Sequence, residues 1–530
     1  MRDISHEKYK EITLSVIPRL LSNIDRDPLS STYGCADKAY WWYKTKDFPC
    51  SRLQESGHFC ALLYKENFSG NIFVGSKEMR DTAFAVLAYT TKIQHKNGSF
   101  DEWYPSEESF CATAFVTYAI AQMYLLLKED LPQKIREDTV SCLRKAGLWL
   151  AHRDMNIGNQ LAGALAALAC VYRVTGDSSM EISCRTKIQA LLRLQSTEGW
   201  FAEYGGADPG YQTVSLEFLA RYYRENKDSA VLPIAQKAIS FLLRCIYPNG
   251  TLGGAVGSRG TSFIFMYGIE YFASLFPESA AIKHHLASKQ LQKVSTPDKM
   301  DDRYGLIYCC SYLEALLHHN TPKKAALWWY GKAHFPEAGL FISSEKNKYF
   351  IINGRKGGTF QLFTRSSEVK DNGLFIRING QLATNQWMDA TSMSVEKDSI
   401  RVTGRFVKVP MEKTLTSLKL IGLRIILMAF PAKKFLSDRI KEYLITKREE
   451  TAVYVERIIS LKEKEIVVED KIFPNGHSIE FLSGTKETQA QYVPTARFYS
   501  SLCNEPNIKP NTIAWQKSDR CYVATRIIVL

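Results

Sequence analysis

Asn97-Gly98-Ser99-Phe100, Glu198-Gly199-Trp200-Phe201 and Asn249-Gly250-Thr251-Leu252 are three variants of one phrase, a polar residue and a glycine leading into an aromatic or apolar residue. Each stands ahead of a stretch with helical apolar spacing, containing Thr113 to Tyr118, Thr213 to Tyr222 and Thr261 to Tyr271 respectively. The second and third phrases begin 51 positions apart and the first and second 101, close to twice that interval. A unit of about fifty residues holds two helices and two loops. About six such units fit ahead of residue 320. Stacked helical hairpins of this kind close into a ring whose inner helices begin after the glycine turns, with the polar loops at one rim; an open helical array is the alternative.

Working outward, apolar residues keep helical spacing from about Ile12 to about His319, as in Phe84, Val86, Leu87 and Tyr89 or Leu161, Ala164, Leu165 and Leu168. The character changes after Pro322. Lys348 to Asn353, Thr359 to Thr364 and Thr451 to Ile459 are rich in β-branched and aromatic residues, and turn signals such as Asn353-Gly354, Asp371-Asn372-Gly373, Asn379-Gly380 and Asn475-Gly476 separate such runs. The expected architecture is multidomain, α then β. An (α/α) toroid of about six helical hairpins occupies 1–325, a linker 326–345, and an antiparallel β-sandwich of about ten or more strands 346–530. Ala432 to Leu444 reads as a helix inserted between strands.

The chain has 530 residues, 45% hydrophobic and 23% charged, which excludes wholesale disorder. Lys and Arg outnumber Asp and Glu by 68 to 55, and a net charge of +13 suits a polyanionic partner. The basic residues are dispersed and form no Arg/Lys block, which argues against nucleic acid. No apolar stretch follows the charged N-terminus, so the expectation is a cytoplasmic chain. The apolar run Leu418 to Phe430 is broken by Lys419 and Arg424 and is too short for a membrane span. Twelve cysteines without a CxxC pair, and histidines without an HExxH set, read as scattered thiols and no metal site.

Two segments are denser in polar and aromatic residues than packing requires. Asn156-Ile157-Gly158-Asn159-Gln160 precedes the small-residue helix Leu161 to Ala169, and Glu203 to Gln212 leads into the next inner helix. Asn159 and Tyr211 are 52 positions apart, one repeat, so inner helices carried to the same rim bring both segments to one cleft. Structural readings stand beside the functional ones: Asn159 as a helix cap, Glu203 and Asp208 as loop acceptors of backbone amides, and Tyr211 as an aromatic packed at the ring centre. Trp41-Trp42-Tyr43 and Trp328-Trp329-Tyr330 read as packing before sugar stacking.

At these positions the sequence resembles the heparinase II/III group of polysaccharide lyases. That group shows an Asn/His pair before a small-residue helix, then a Gln-x-x-x-(Asp/Glu)-Gly turn, a Glu and a Pro-x-Tyr. The corresponding residues are Asn159-Gln160, Gln195 to Gly199, Glu203 and Pro209-Gly210-Tyr211. The resemblance implies β-elimination on a uronic-acid-containing polysaccharide, in which the carboxylate beside C5 is neutralised while the C5 proton leaves. It implies Tyr211, Asn159 and Gln160 as catalytic residues. Tyr211, its phenolate favoured by a nearby cation, takes the proton and returns it to the leaving oxygen, and an amide holds the carboxyl group. Arg259, Glu203, Asp208, Gln212 and Asn156 would bind substrate, an acidic polysaccharide or oligosaccharide, and no cofactor is needed.

The chain departs from the group's pattern at two places. Gln160 stands where the group has histidine, and Asn353 to Phe360 lacks the histidine and metal-binding residues that the group's β-sandwich contributes. Two other functions remain open. One is a glycoside hydrolase using two carboxylates from Asp81, Glu102, Glu203 and Asp208; Glu203→Gln separates it from the lyase, which on this reading survives that change. The other is a non-catalytic glycan-binding or assembly protein of a polysaccharide pathway.

Overall fold

In the computed structural model, which describes residues 4–289, 291, 296–319, 328–386, 388, 392–396, 399–409, 416–429, 448–482 and 512–529, helical hairpins build the first half. The helices are α1 (Ile4–Asn23), α2 (Lys38–Trp41), α3 (Ser56–Lys65), α4 (Lys77–Lys92), α5 (Phe110–Leu127), α6 (Gln133–Ala151), α7 (Gly158–Thr175), α8 (Ser178–Leu194), α9 (Pro209–Asn226), α10 (Leu232–Cys245), α11 (Met266–Phe272), α12 (Pro277–Ser288) and α13 (Asp302–Leu317). Helices α3, α5, α7, α9, α11 and α13 each pack on the next, and α13 returns to α3, so the inner ring closes and the open array is excluded. Helices α4, α6, α8, α10, α12 and α1 lie outside it as their partners. The division follows the side chains. Inner α7 is buried nearly all round, whereas outer α8 buries one stripe, Met180, Cys184, Lys187, Ile188 and Leu191. Helix α5, long and apolar enough by composition to cross a bilayer, is an inner helix of this ring and mostly buried in it.

The glycine phrase does the same work in two of its three copies; at the third, Gly250, a Cβ would meet the Lys289 side chain instead. Gly98 and Gly199 have φ of +97° and +99°, and a Cβ at either would run into a backbone carbonyl of the neighbouring outer helix, Lys145 on α6 or Lys237 on α10. Gly34, φ +91°, meets Ala85 on α4 in the same way and marks a copy of the turn that the sequence does not advertise.

The second half is antiparallel β. Strands β1 (Gly331–Phe335), β2 (Leu340–Glu345), β3 (Lys348–Asn353), β4 (Thr359–Thr364) and β5 (Glu368–Asp371) form one sheet in sequence order. The other contains β6 (Phe375–Ile378), β7 (Gln381–Thr384), β8 (Ser392–Val395), β9 (Ser399–Lys408), β10 (Glu450–Leu461), β11 (Glu465–Phe473), β12 (Ile479–Phe481), β13 (Thr512–Gln516) and β14 (Cys521–Val529). Its order is β12-β6-β7-β9-β10-β11-β14-β13, with β8 paired to β9. Strands β1 and β2 fall inside 326–345, the stretch read as a linker. The helix read at Ala432 to Leu444 lies outside the described residues; α14 (Ser417–Ala429) precedes it.

The alternation of side chains explains how the halves join. Phe350, Ile352, Phe360 and Leu362 point into the sandwich against the second sheet. Leu340, Ile342, Tyr349, Ile351 and Phe363 point the other way, against Phe241, Cys245 and Tyr247 of the toroid. The first sheet is therefore covered on both faces, which is why Tyr349 to Ile352 is continuously apolar. The Tyr349 hydroxyl donates to the Arg244 carbonyl at 2.6 Å across this joint.

Candidate active site

One buried carboxylate organises the rim. Asp208 caps α9: its Oδ1 accepts from the Tyr211 backbone N–H at 3.1 Å and from the Thr261 hydroxyl, while its Oδ2 accepts from the Arg259 N–H at 2.9 Å. Asp208 thus sets Tyr211 and Arg259 relative to one another. The loop carrying Arg259 is braced from the sandwich, where Asn353 Nδ2 donates to the Val256 carbonyl at 2.7 Å and Thr359 Oγ1 to the Ala255 carbonyl at 3.4 Å. The Asn353 to Phe360 segment, which lacks the histidine of the lyase pattern, backs the arginine loop instead.

On the next inner helix Asn159 is the second residue of α7 and does not cap it; Ile157 holds the cap position. The Asn159 amide donates to Glu203 Oε1. Gly158 N–H donates to the Ala202 carbonyl at 3.0 Å, fixing the start of α7 against the strand-like segment that ends in Glu203.

A cavity of about 360 Å³ opens among the N-terminal ends of the inner helices. Asn159, Gln160, Glu203, Tyr211 and Arg259 all line it, so the two segments one repeat apart do share a rim. The other three residues assigned to the site lie elsewhere. Asp208 is buried and spent on the bonds above. Gln212 is buried in the repeat turn, accepting from Phe201 N–H and donating to the Gly199 carbonyl, both at 3.1 Å; Thr113 accepts from Phe100 N–H in the equivalent place. Asn156 is exposed and outside the lining. Gln195, part of the lyase-like motif, also belongs to the repeat: it donates to Gly199 and Ile234 carbonyls as Gln94 does to Gly98 and Cys142.

Burial dominates the electrostatics. It pushes the Glu203 carboxyl up to about 8, against the pull of Arg259 and of the Asn159 bond. It also raises the Tyr211 phenol, although the Arg259 guanidinium lies 5.3 Å from that ring and 5.0 Å from Tyr204. The cation expected beside Tyr211 is present, but burial outweighs it, and Tyr211 rests as a phenol rather than a phenolate.

Several lining residues were not foreseen. On one wall Arg52 pairs with Glu55 and stands 4.0 Å from Glu102, whose Oε1 accepts from Arg303 at 3.0 Å; the Arg303 guanidinium covers Trp103 at 4.0 Å from the ring centre. At the floor Arg221 reaches Glu217 at 2.8 Å and also bonds Glu314, which accepts from Arg224 at 2.9 Å. Arg224 donates to the Tyr118 hydroxyl at 2.9 Å. A signal for the floor existed: Tyr211, Val214, Phe218 and Arg221 form an inward stripe at helical spacing that ends in a charge.

Of the four carboxylates considered for hydrolysis, Glu102 and Glu203 line the cavity. Asp81 binds Arg80 on outer α4, and Asp208 is the cap. Trp328 stacks on His285 at 3.9 Å and Trp329 lies 5.6 Å from Arg244, in keeping with packing roles. Among the described residues no group of three His, Cys, Asp or Glu side chains is placed to hold a metal ion.

No protein-family model and no curated protein matches the sequence. Solved structures do resemble it. The chondroitin AC lyase of Streptomyces coelicolor A3 in complex with chondroitin sulphate gives a TM-score of 0.53 at 9% identity, covering 91% of this chain and 67% of that one. A Paenibacillus xanthan lyase gives 0.51 at 12% identity over 91% of this chain; this chain spans 46% of it, less than half its length. A heparinase III gives 0.46 at 11% identity, with 88% and 70% covered. What the first two likenesses show is the fold: a helical toroid followed by antiparallel β-sheets, as in those two lyases.

Proposed function

We propose that the protein is a lyase that cleaves a uronic-acid-containing polysaccharide by β-elimination at the toroid rim. The observation that carries this reading is the convergence of Asn159, Glu203, Tyr211 and Arg259 on one cavity in a lyase-like fold. Arg259 and the Asn159 amide receive the uronate carboxylate and stabilise the charge that grows on it as the C5 proton leaves. Glu203 accepts that proton. Its carboxyl titrates at about 8, so the ionised form that acts as base grows as pH rises toward 8, and it supplies the titrating group that Gln160 cannot. Tyr211, a phenol at rest, donates its proton to the glycosidic oxygen on C4. The C5–H and C4–O bonds break, the C4–C5 double bond forms, and no oxidant or reductant is consumed.

This division of labour reverses the reading in which Glu203 is dispensable. A panel of uronic-acid polymers, followed by the ultraviolet absorbance of the 4,5-unsaturated product, tests it. Absorbance is expected with the parent protein and is lost in both Glu203→Gln and Tyr211→Phe; undiminished rates in either variant overturn the assignment. A second reading, a glycoside hydrolase, is favoured by one observation: Glu102 and Glu203 line the same cavity, one ion-paired to Arg303 and the other held protonated by burial. New reducing ends without absorbance would select it. Saccharide binding with neither product would select the non-catalytic alternative.

A further inference from the structure

The inner helices meet the rim cavity with their N-terminal ends. At the opposite mouth of the ring α3, α5, α9 and α13 end, and a second cavity of about 250 Å³ opens among their last turns. Leu62 of α3, Leu126 of α5 and Leu317 of α13 give it apolar walls. Two of its charged groups are spent on one another: Glu314 accepts from Arg224 at 2.9 Å, and Arg224 is matched again by Glu225 at 3.0 Å. Burial, with Arg224 near by, pushes the His318 imidazole down despite the Glu66 carboxylate beside it, so His318 lines the cavity as a neutral ring at pH 7. Its Nδ1 donates to the Glu314 carbonyl at 3.0 Å.

Glu66 is the charge left over. It is half-buried, holds the C-cap position of α3, and is paired with no lysine or arginine among the described residues. A carboxylate at a helix C-terminus lies at the negative end of the dipole, so the fold gains nothing from this charge. We propose that the second cavity binds a small organic ammonium ion, its head on the Glu66 carboxylate and its alkyl chain along Leu62, Leu126 and Leu317. The carboxylate and the converging helix C-termini favour a cation. The three leucines offer an alkyl stem apolar surface that a hydrated metal ion has no use for. The site does not depend on the chemistry at the rim.

Calorimetric titration of the parent chain with ethyl-, butyl- and hexylammonium chloride tests this, with hexanoate as the anionic control. One ammonium ion is expected per chain, its binding tightening by up to about fourfold for each added methylene, the worth of burying one CH₂. Hexanoate should give no heat of binding. Glu66→Gln should weaken hexylammonium binding by about tenfold or more, the usual share of a hydrogen bond to a charged group. The urea midpoint of that variant should match the parent's, because no ion pair within the protein is lost. Glu203→Gln, which removes a carboxylate from the rim cavity instead, should bind hexylammonium as the parent does. Binding that survives Glu66→Gln, or that is lost in Glu203→Gln, overturns the assignment. So do equal binding of hexanoate, an affinity indifferent to chain length, and a parent chain that binds none of the three ammonium ions.

Discussion

Two buried carboxylates, one at the rim of the toroid and one beneath its floor, are driven to opposite protonation states. Glu203 is bonded by the amide of Asn159, and burial pushes it up to about 8. Glu314 is equally buried, but Arg221 and Arg224 overcome that burial and hold it well below the usual carboxylate range. Helix α9 supplies to one cluster Tyr211, and to the other Glu217 and Arg221, within three turns. An amide neighbour leaves a carboxyl with a proton it can exchange, whereas two guanidinium groups fix it as a permanent anion. The rim is thereby suited to proton transfer and the floor to holding the inner ring together across its axis.

The largest expected effects separate the clusters by what they change. Glu203→Gln should lower kcat by about 10²–10⁴, the usual contribution of a positioned proton-transfer group, with little loss of stability. Measuring kcat beside the urea midpoint checks both halves, and a variant that turns over normally breaks the comparison at the rim. Glu314→Gln should cost about 3–5 kcal/mol, because Arg221 and Arg224 would remain buried beside an amide that cannot neutralise them. Urea denaturation measures this, and a cost below about 1 kcal/mol would show that the floor is not the fastening described here.

Asp208→Asn sits between the two. The amide keeps an acceptor for the α9 cap but turns an NH₂ toward the Arg259 N–H, so the bond that places the arginine loop is lost. About 1–3 kcal/mol of stability should go with it. A rise in KM with a smaller fall in kcat is the kinetic signature of a displaced Arg259; an unchanged KM would mean that the cap does not position the loop for substrate.

Different physics made parts of this visible from residues alone. The ring could be read because its turn glycines repeat at one interval and are irreplaceable, as the left-handed Gly98 and Gly199 show against the carbonyls of Lys145 and Lys237. Asn159 and Tyr211 could be paired because one repeat separates them. Strands β1 and β2 were absorbed into a linker because β1, Gly331 to Phe335, is a short, largely exposed edge strand. The floor was hidden for another reason. Arg221 and Glu314 are 93 residues apart and meet only when the ring closes, so no local periodicity announces their ion pair. The second oxygen of Asp208 was also unreadable, because a cap is a local signal but its reach to the Arg259 loop is not.

The pH dependence of stability sharpens the comparison through its sign. Glu203 keeps its proton up to about 8 in the fold, against an ordinary value of 4.5. Between those values the folded chain holds a proton the unfolded chain has released, so this group's contribution is full below about pH 4.5 and declines as pH rises through about 8, at roughly 1 kcal/mol per pH unit. Glu217, pushed up to about 7 by burial against the pull of Arg221, adds the same sign over a narrower window. Glu314 does the opposite: its contribution is present above its unfolded value and is lost as pH falls toward its depressed one. Urea midpoints between about pH 2.5 and 9 should therefore fall less steeply as pH rises from about 4.5 to 8 in Glu203→Gln than in the parent, and less steeply as pH falls below about 4.5 in Glu314→Gln. A parent-like alkaline slope in Glu203→Gln would mean that the rim carboxyl is already ionised at neutral pH, and the contrast between an exchangeable proton at the rim and a fixed charge below it would disappear.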